Sequence, residues 1–298
     1  MMPLVFLIIA CVLNIGLDIW FVAGFKMGVA GVAWATIIAQ AISGALCLVR
    51  LMRMKDVLTV SLHTLRPKAL FVKKLVQLGL PSGLTQAIFS FAMIIIQSLT
   101  NSFGTAVIAA NTVVMRVDGF AMMPNFTFGT AMTTYTGQNI GANRVDRVEE
   151  GTKDGLKVGL AVSVVLVGLI LLFGKYLMEM FTSTPEVIDL GQQMLRTLAV
   201  GYVAMAVTQI LSGVMRGAGD TMTPMWISII TTVVIRVPIA YGLEFFTRPA
   251  GGAMGSGAPT PLFLSLLLSW VIGAVLTAIA YRMGRWKKKS IIANAAKR

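Results

Sequence analysis

Eight stretches of this 298-residue chain are apolar and long enough to cross a lipid bilayer, and nothing else in the sequence constrains its fold as strongly. They run over about 2–22, 28–51, 75–101, 106–138, 156–178, 187–215, 224–246 and 260–283. A helix rising 1.5 Å per residue needs about 20 residues to cross a hydrocarbon core of about 30 Å. Lipid offers the backbone no hydrogen-bond partner, so only helices or closed barrels span it. The alternation of a barrel strand is absent, so the lengths predict helices. Composition agrees: 56% of residues are apolar, 12% are charged, and the mean hydropathy is +0.82. Soluble chains are about a quarter charged. A soluble enzyme, a nucleic-acid binder and a disordered scaffold are excluded on that ground.

The net charge of +13 is unevenly placed. Nineteen lysines and arginines fall on one side of the predicted spans: in the loops 50–74 and 142–157, at Arg216, and in the tail from Arg282. Lys26, Lys175 and Arg248 fall on the other side, and Arg116, Arg196 and Arg236 lie inside spans. The positive-inside rule then puts both ends of this chain in the cytoplasm, as a multi-pass protein of the plasma (inner) membrane. Cys11 and Cys47 sit in apolar runs and form no disulfide framework. His63 is the single histidine, so no zinc site is expected. The apolar start lacks a charged leader and reads as a span.

The connection 52–74 divides the chain into residues 1–51, with two spans, and residues 75–283, with six; a basic tail, 284–298, follows. Pro67 breaks any single helix in the connection. Phe71 and Leu75 beside lysines fit either a short surface-lying segment or a solvated loop. An offset of 221 matches Met1, Pro3, Ile8, Ile9 and Val12 to Met222, Pro224, Ile229, Ile230 and Val233. The first span is then the counterpart of the seventh, and four partner spans are expected upstream.

Asn14 and Asp18 are four apart and share a helix face. A carboxylate at membrane depth is costly unless paired or hydrated. Carboxylate, amide and hydroxyl oxygens suit a hard cation, and Thr36 on the next span can supply the hydroxyl. Burial would equally suit proton binding. A helix-end aspartate is the plain alternative. Arg116 and Asp118 are two apart and point to different faces, as cavity-lining charges or as structural partners of another helix. Pro124 removes a backbone donor beyond them. Asn125, Gly129, Thr133 and Gly137 form a small or polar stripe at spacing four, fit for helix packing or for lining a cavity. Gln86 and Gln209 put neutral hydrogen-bonding groups into spans. Met93 belongs to a methionine-rich set that suits adaptable binding surfaces as well as lipid. Arg236, two residues before Pro238, is read as a cation at a kink facing protein, with Glu244 as its nearby acid. Gln86, Met93, Arg116, Asp118, Gln209 and Arg236 are thus the candidates for a substrate cavity. No phosphate-binding loop, zinc-protease signature or nucleophile elbow occurs, and no enzyme is expected.

Several segments together resemble one family. They are the Pro3 helix with Asn14 and Asp18, Gly31-Val32-Ala33-Trp34-Ala35-Thr36, Gly79-Leu80-Pro81 and Gly104-Thr105 through Ala109-Ala110. Gly137-Gln138-Asn139-Ile140-Gly141-Ala142, Met215-Arg216-Gly217-Ala218-Gly219-Asp220-Thr221 and Arg236-Val237-Pro238 complete the set. The chain resembles the multidrug and toxic compound extrusion (MATE) family of cation-coupled efflux antiporters. The resemblance implies an all-α membrane protein with about eight transmembrane helices: the end of an N-lobe plus a complete six-helix C-lobe of a MATE-like fold. It implies that the four N-terminal helices of a full-length protein are missing here. It also implies a cation site at Asn14, Asp18 and Thr36, completed by a carboxylate outside this chain. Acids that some members carry in the C-lobe are replaced near Phe89 and Met205. The expected function is multidrug efflux by antiport against Na+ or H+, with no other cofactor. Its expected partners are small amphipathic drugs, cationic in character, together with the coupling ion and the bilayer, and no nucleic acid. A lipid-linked oligosaccharide flippase, which would use Arg116, Arg196 and Arg236, and an inactive fragment or non-transporting membrane subunit are the alternatives.

Overall fold

The computed structural model describes residues 2–53 and 69–288. Among them are ten α-helices, two short π-helical stretches and no strand. Eight spans are long and apolar enough to cross a membrane, as the sequence predicts. Residues 54–68 and 289–298 lie outside the described residues, and with them the stretch around Pro67 and most of the basic tail.

The chain divides into two compact units, Met1–Val72 and Lys73–Arg298. In the first, α1 (Met2–Ile19) continues into a π turn (Trp20–Gly24) and pairs with α2 (Gly28–Arg53). The seam is built from small side chains: Ala10 on α1, and Gly31, Ala35 and Ala39 at spacing four on α2, are buried. Small residues let two helices approach closely where lipid provides no hydrophobic drive. A Cβ on Gly31 would lie 3.0 Å from that of Phe21.

The second unit holds α3 (Ala69–Ser102) from its second turn on, α4 (Thr105–Gly141), α5 (Val145–Glu179) and α6 (Pro185–Gly217). Then come α7 (Met222–Ile229), a π stretch (Ile230–Ile235), α8 (Arg236–Thr247), α9 (Thr260–Arg282) and the short α10 (Arg285–Lys288). α3 begins at Ala69, so Phe71 and Leu75 belong to a long helix and not to a separate surface segment. α5 begins well before residue 156, because hydropathy marks where lipid ends and not where a helix does. Its charged first turns stay helical with Val148 and Thr152 buried on one face.

α6 is the central helix, packed against α4, α5 and α9. The contact with α4 is backbone on backbone. A Cβ on Gly213 would sit 2.3 Å from the Gly129 carbonyl oxygen, and one on Gly217 would sit 2.4 Å from that of Thr133. The stripe on α4 is therefore a packing seam. Asn125 at its head donates from Nδ2 to the Tyr202 carbonyl (3.1 Å) and accepts from Ser163 Oγ (3.0 Å), tying α4 to α6 and α5. The outer faces carry Phe120, Leu172, Val234 and Phe246, all exposed and apolar, as a lipid-facing surface requires.

Between α7 and α8 the helix widens just before Arg236. Pro238 has no N–H and its ring crowds the carbonyl four residues back, which lies inside the widened stretch. Thr231 Oγ1 takes up part of the slack by donating to the Ile227 carbonyl at 2.8 Å. α1 and α7 start at Met2 and Met222, close to the sequence offset. The loops that follow differ in length (25–27 against 248–259), so the offset fades before α2 and α9.

Candidate functional site

Two places gather the polar residues that the spans hold. The first lies between α1 and α2. Asn14 Nδ2 reaches Thr36 Oγ1 at 3.5 Å, the long limit of a hydrogen bond. Thr36 donates its own proton to the Val32 carbonyl (2.9 Å), which leaves its lone pairs facing Asn14. Asp18 lies one turn further along α1, half-buried, and its Oδ1 is buried without a hydrogen-bond partner among the described residues. A π turn begins two residues later. Such widenings recur at functional positions in helices.

The second place is a cavity of about 720 Å³ inside the second unit. Ligand sites commonly measure about 300–1,000 Å³. α3 contributes Gln86 and Met93, α4 Asp118, α6 Gln209 and Arg216, and α8 Arg236. Phe89, Phe126, Phe263 and Trp270 supply aromatic surface. Arg236 is only 5% exposed, turned inward by the widened helix before it. Its Nη1 lies 3.8 Å from Met93 Sδ and its Nε has no partner among the described residues. Asp118 accepts a hydrogen bond from the hydroxyl of Tyr202, a buried residue behind the wall whose ring leans on Trp270 at 5.9 Å. Charge, amide, hydroxyl and aromatic groups around one drug-sized space suit reversible recognition of an amphipathic molecule.

Residues 81–242, more than half of the chain, match the MatE family model. The chain belongs to the MatE family. It is 30% identical over 285 residues to the probable multidrug resistance protein YpnP of Bacillus subtilis (strain 168), covering 96% of this chain and 61% of that protein. It is 24% identical over 284 residues to the probable multidrug resistance protein NorM of Thermotoga maritima, covering 94% and 59%. A solved structure described as an outward-facing conformation of a multidrug resistance MATE family transporter of the MOP superfamily superimposes with a TM-score of 0.85. That match has 23% identity and covers 96% of this chain and 62% of that one, and it shows a shared fold. The chain thus spans about 60% of the length of these two relatives.

Within this MatE chain, five of the six cavity candidates line one space: Gln86, Met93, Asp118, Gln209 and Arg236. Arg116 does not. Two residues turn a helix by about 200°, so Arg116 leaves the wall that Asp118 joins. It is exposed, with its guanidinium 5.6 Å from the Phe181 ring. Arg196 is also exposed and outside the lining. Glu244 does not face Arg236. Eight residues of helix separate the two by about 12 Å, and Glu244 Oε1 accepts instead from the Gly255 N–H at 3.0 Å. Sequence reasoning missed Arg216, counted as a loop cation although it ends α6 facing the cavity. It also missed Tyr202, whose buried hydroxyl in an otherwise apolar run was the available signal. The Met215–Thr221 motif is a helix junction. Gly219 takes a positive φ of 90°, and Asp220 Oδ2 accepts from Thr223 Oγ1 (2.7 Å) at the start of α7.

Proposed function

We propose that this chain exports small amphipathic drugs across the plasma membrane by antiport against sodium ions or protons. Its relatives' names as multidrug resistance proteins support the cargo, and the lysine and arginine asymmetry supports an orientation with both chain ends cytoplasmic. The observation that carries the coupling is at Asp18. A buried, unpartnered carboxylate oxygen lies one turn from an amide and a hydroxyl that already face each other. Such a group is stabilised by a proton or a hard cation and is costly without one. Ion binding there would favour one arrangement of the helices and drug binding another, which is what coupling between two ligands requires.

Of the three arginines named for the flippase alternative, Arg116 and Arg196 lie outside the cavity and Arg236 lines it. The experiment is drug export from cells lacking their own pumps, with the full chain and with Asp18→Asn. Export driven by a sodium or proton gradient in the parent and lost in Asp18→Asn is expected. Export that is equal in both would overturn the coupling role.

A further inference from the structure

We propose that the cavity of the second unit recognises anions, with the guanidinium of Arg236 as the seat for the acidic group of a drug-sized amphipathic ligand. The proposal rests on the export reading and specifies the charge of the cargo, opposite to the cationic drugs the sequence favours.

A guanidinium is always charged, has five N–H donors and accepts nothing. Burying one is costly unless an anion meets it. Arg236 is 5% exposed, its Nη1 has a thioether for a partner, and its Nε has none among the described residues. No ion pair among the described residues involves it: these join Arg144 to Asp146, Lys157 to Asp154, Lys175 to Glu179 and Lys287 to Glu149. Glu244, the one acid on α8, is committed to the Gly255 N–H. Asp118 shares the cavity wall and its charge acts on that of Arg236, but the two make no ion pair among the described residues, and the carboxylate accepts the Tyr202 hydroxyl.

The lining as a whole points the same way. Among the described residues it holds one acid, Asp118, and two arginines, Arg216 and Arg236. Ionised or protonated, Asp118 leaves the space net positive. Arg216 lies about 21 Å along α6 from Tyr202, whose hydroxyl meets Asp118. A lipophilic cation would enter a low-dielectric space with two like charges and one acid already engaged. An anion with an aromatic body would meet Arg236 through a charge-assisted hydrogen bond and rest on Phe89, Phe263 and Trp270.

The test uses the full chain in lipid nanodiscs and three probes of one shape: 1-naphthylacetate, its neutral carboxamide, and 1-naphthylmethyl-trimethylammonium. Equilibrium dialysis is expected to rank the carboxylate about tenfold or more above both others, the scale of a hydrogen bond to a charged group. Arg236→Gln is expected to remove that preference while leaving the carboxamide within about twofold, and Arg236→Lys to keep part of it. A merely structural role for Arg236 would weaken all three probes together and would overturn the proposal. So would an ammonium probe bound as tightly as the carboxylate. Where Arg236→Gln fails to fold, Arg216→Gln decides: about threefold weaker carboxylate binding is expected, and no change overturns the proposal. Lost gradient-driven export with the carboxylate preference intact would end the antiport reading and leave the anion site standing. Export with a preference for the ammonium probe would do the reverse.

Discussion

Tyr202 on α6 donates its hydroxyl to Asp118 on α4, so the only acid among the described residues that line the cavity is held from behind by a buried phenol. The ring also stacks at a tilt against Trp270 of α9. One side chain thereby links three helices around the cavity. Tyr202→Phe keeps the ring and deletes the bond, and a hydrogen bond to a charged group contributes about 1.5–3 kcal/mol. A double-mutant cycle with Asp118→Asn, read by thermal unfolding in detergent, is expected to give a coupling of about 1 kcal/mol or more. Additive effects would mean that the two groups do not act together.

The polar cluster between α1 and α2 makes a separate expectation. An ion that binds only the folded protein raises stability by about 2.7 kcal/mol at a hundred times its Kd. Sodium added at constant pH should therefore raise the melting temperature of the parent and not that of Asp18→Asn. Equal protection of the variant, or none of the parent, would remove sodium binding at Asp18 from the coupling role.

The α4–α6 seam has no room for a side chain. With the Gly129 carbonyl oxygen 2.3 Å from where a Cβ on Gly213 would lie, even Gly213→Ala must push backbone apart. Overpacking of this kind costs about 1–3 kcal/mol. Gly213→Leu is expected to leave little folded protein by size-exclusion chromatography. Gly119→Leu, on α4 with nothing within 4 Å of its Cβ position, should leave yield unchanged.

Much of this was legible beforehand, for physical reasons that also mark where legibility stops. The eight spans follow from apolar length, because lipid forbids any other reading of such runs. Asn14 and Asp18 could be put on one face from spacing, since positions four apart on a helix share a face. Thr36 was only one hydroxyl available on the next helix, and its contact with Asn14 comes from how the two helices pack. The stripe from Asn125 to Gly137 was visible, but whether it packed or lined a cavity depended on the glycines of α6 that meet it. The Tyr202–Asp118 contact joins positions 84 residues apart, and no local pattern encodes it. Arg216 was hidden by its neighbours, because a basic residue beside a glycine-rich junction looks like a loop cation. Its direction is set by how α6 ends.

Glu244 shows how a misplaced partner becomes an expectation. Its carboxylate is buried and accepts the Gly255 N–H at 3.0 Å, which folds the 248–259 loop back against the end of α8. Gly255 has a φ of 83° and lies against the Ser102 carbonyl, a place no other residue would fit. The loop thus depends on one side-chain acceptor and one glycine. Glu244→Leu would leave the N–H without that acceptor, at a cost of about 1–3 kcal/mol, while Glu244→Gln keeps a carbonyl in its place. Hydrogen exchange at the Gly255 amide is expected to speed up by about tenfold or more in Glu244→Leu and to stay within about threefold in Glu244→Gln. Equal exchange in both variants would mean that the loop is held by its own turns and not by the acid beneath it.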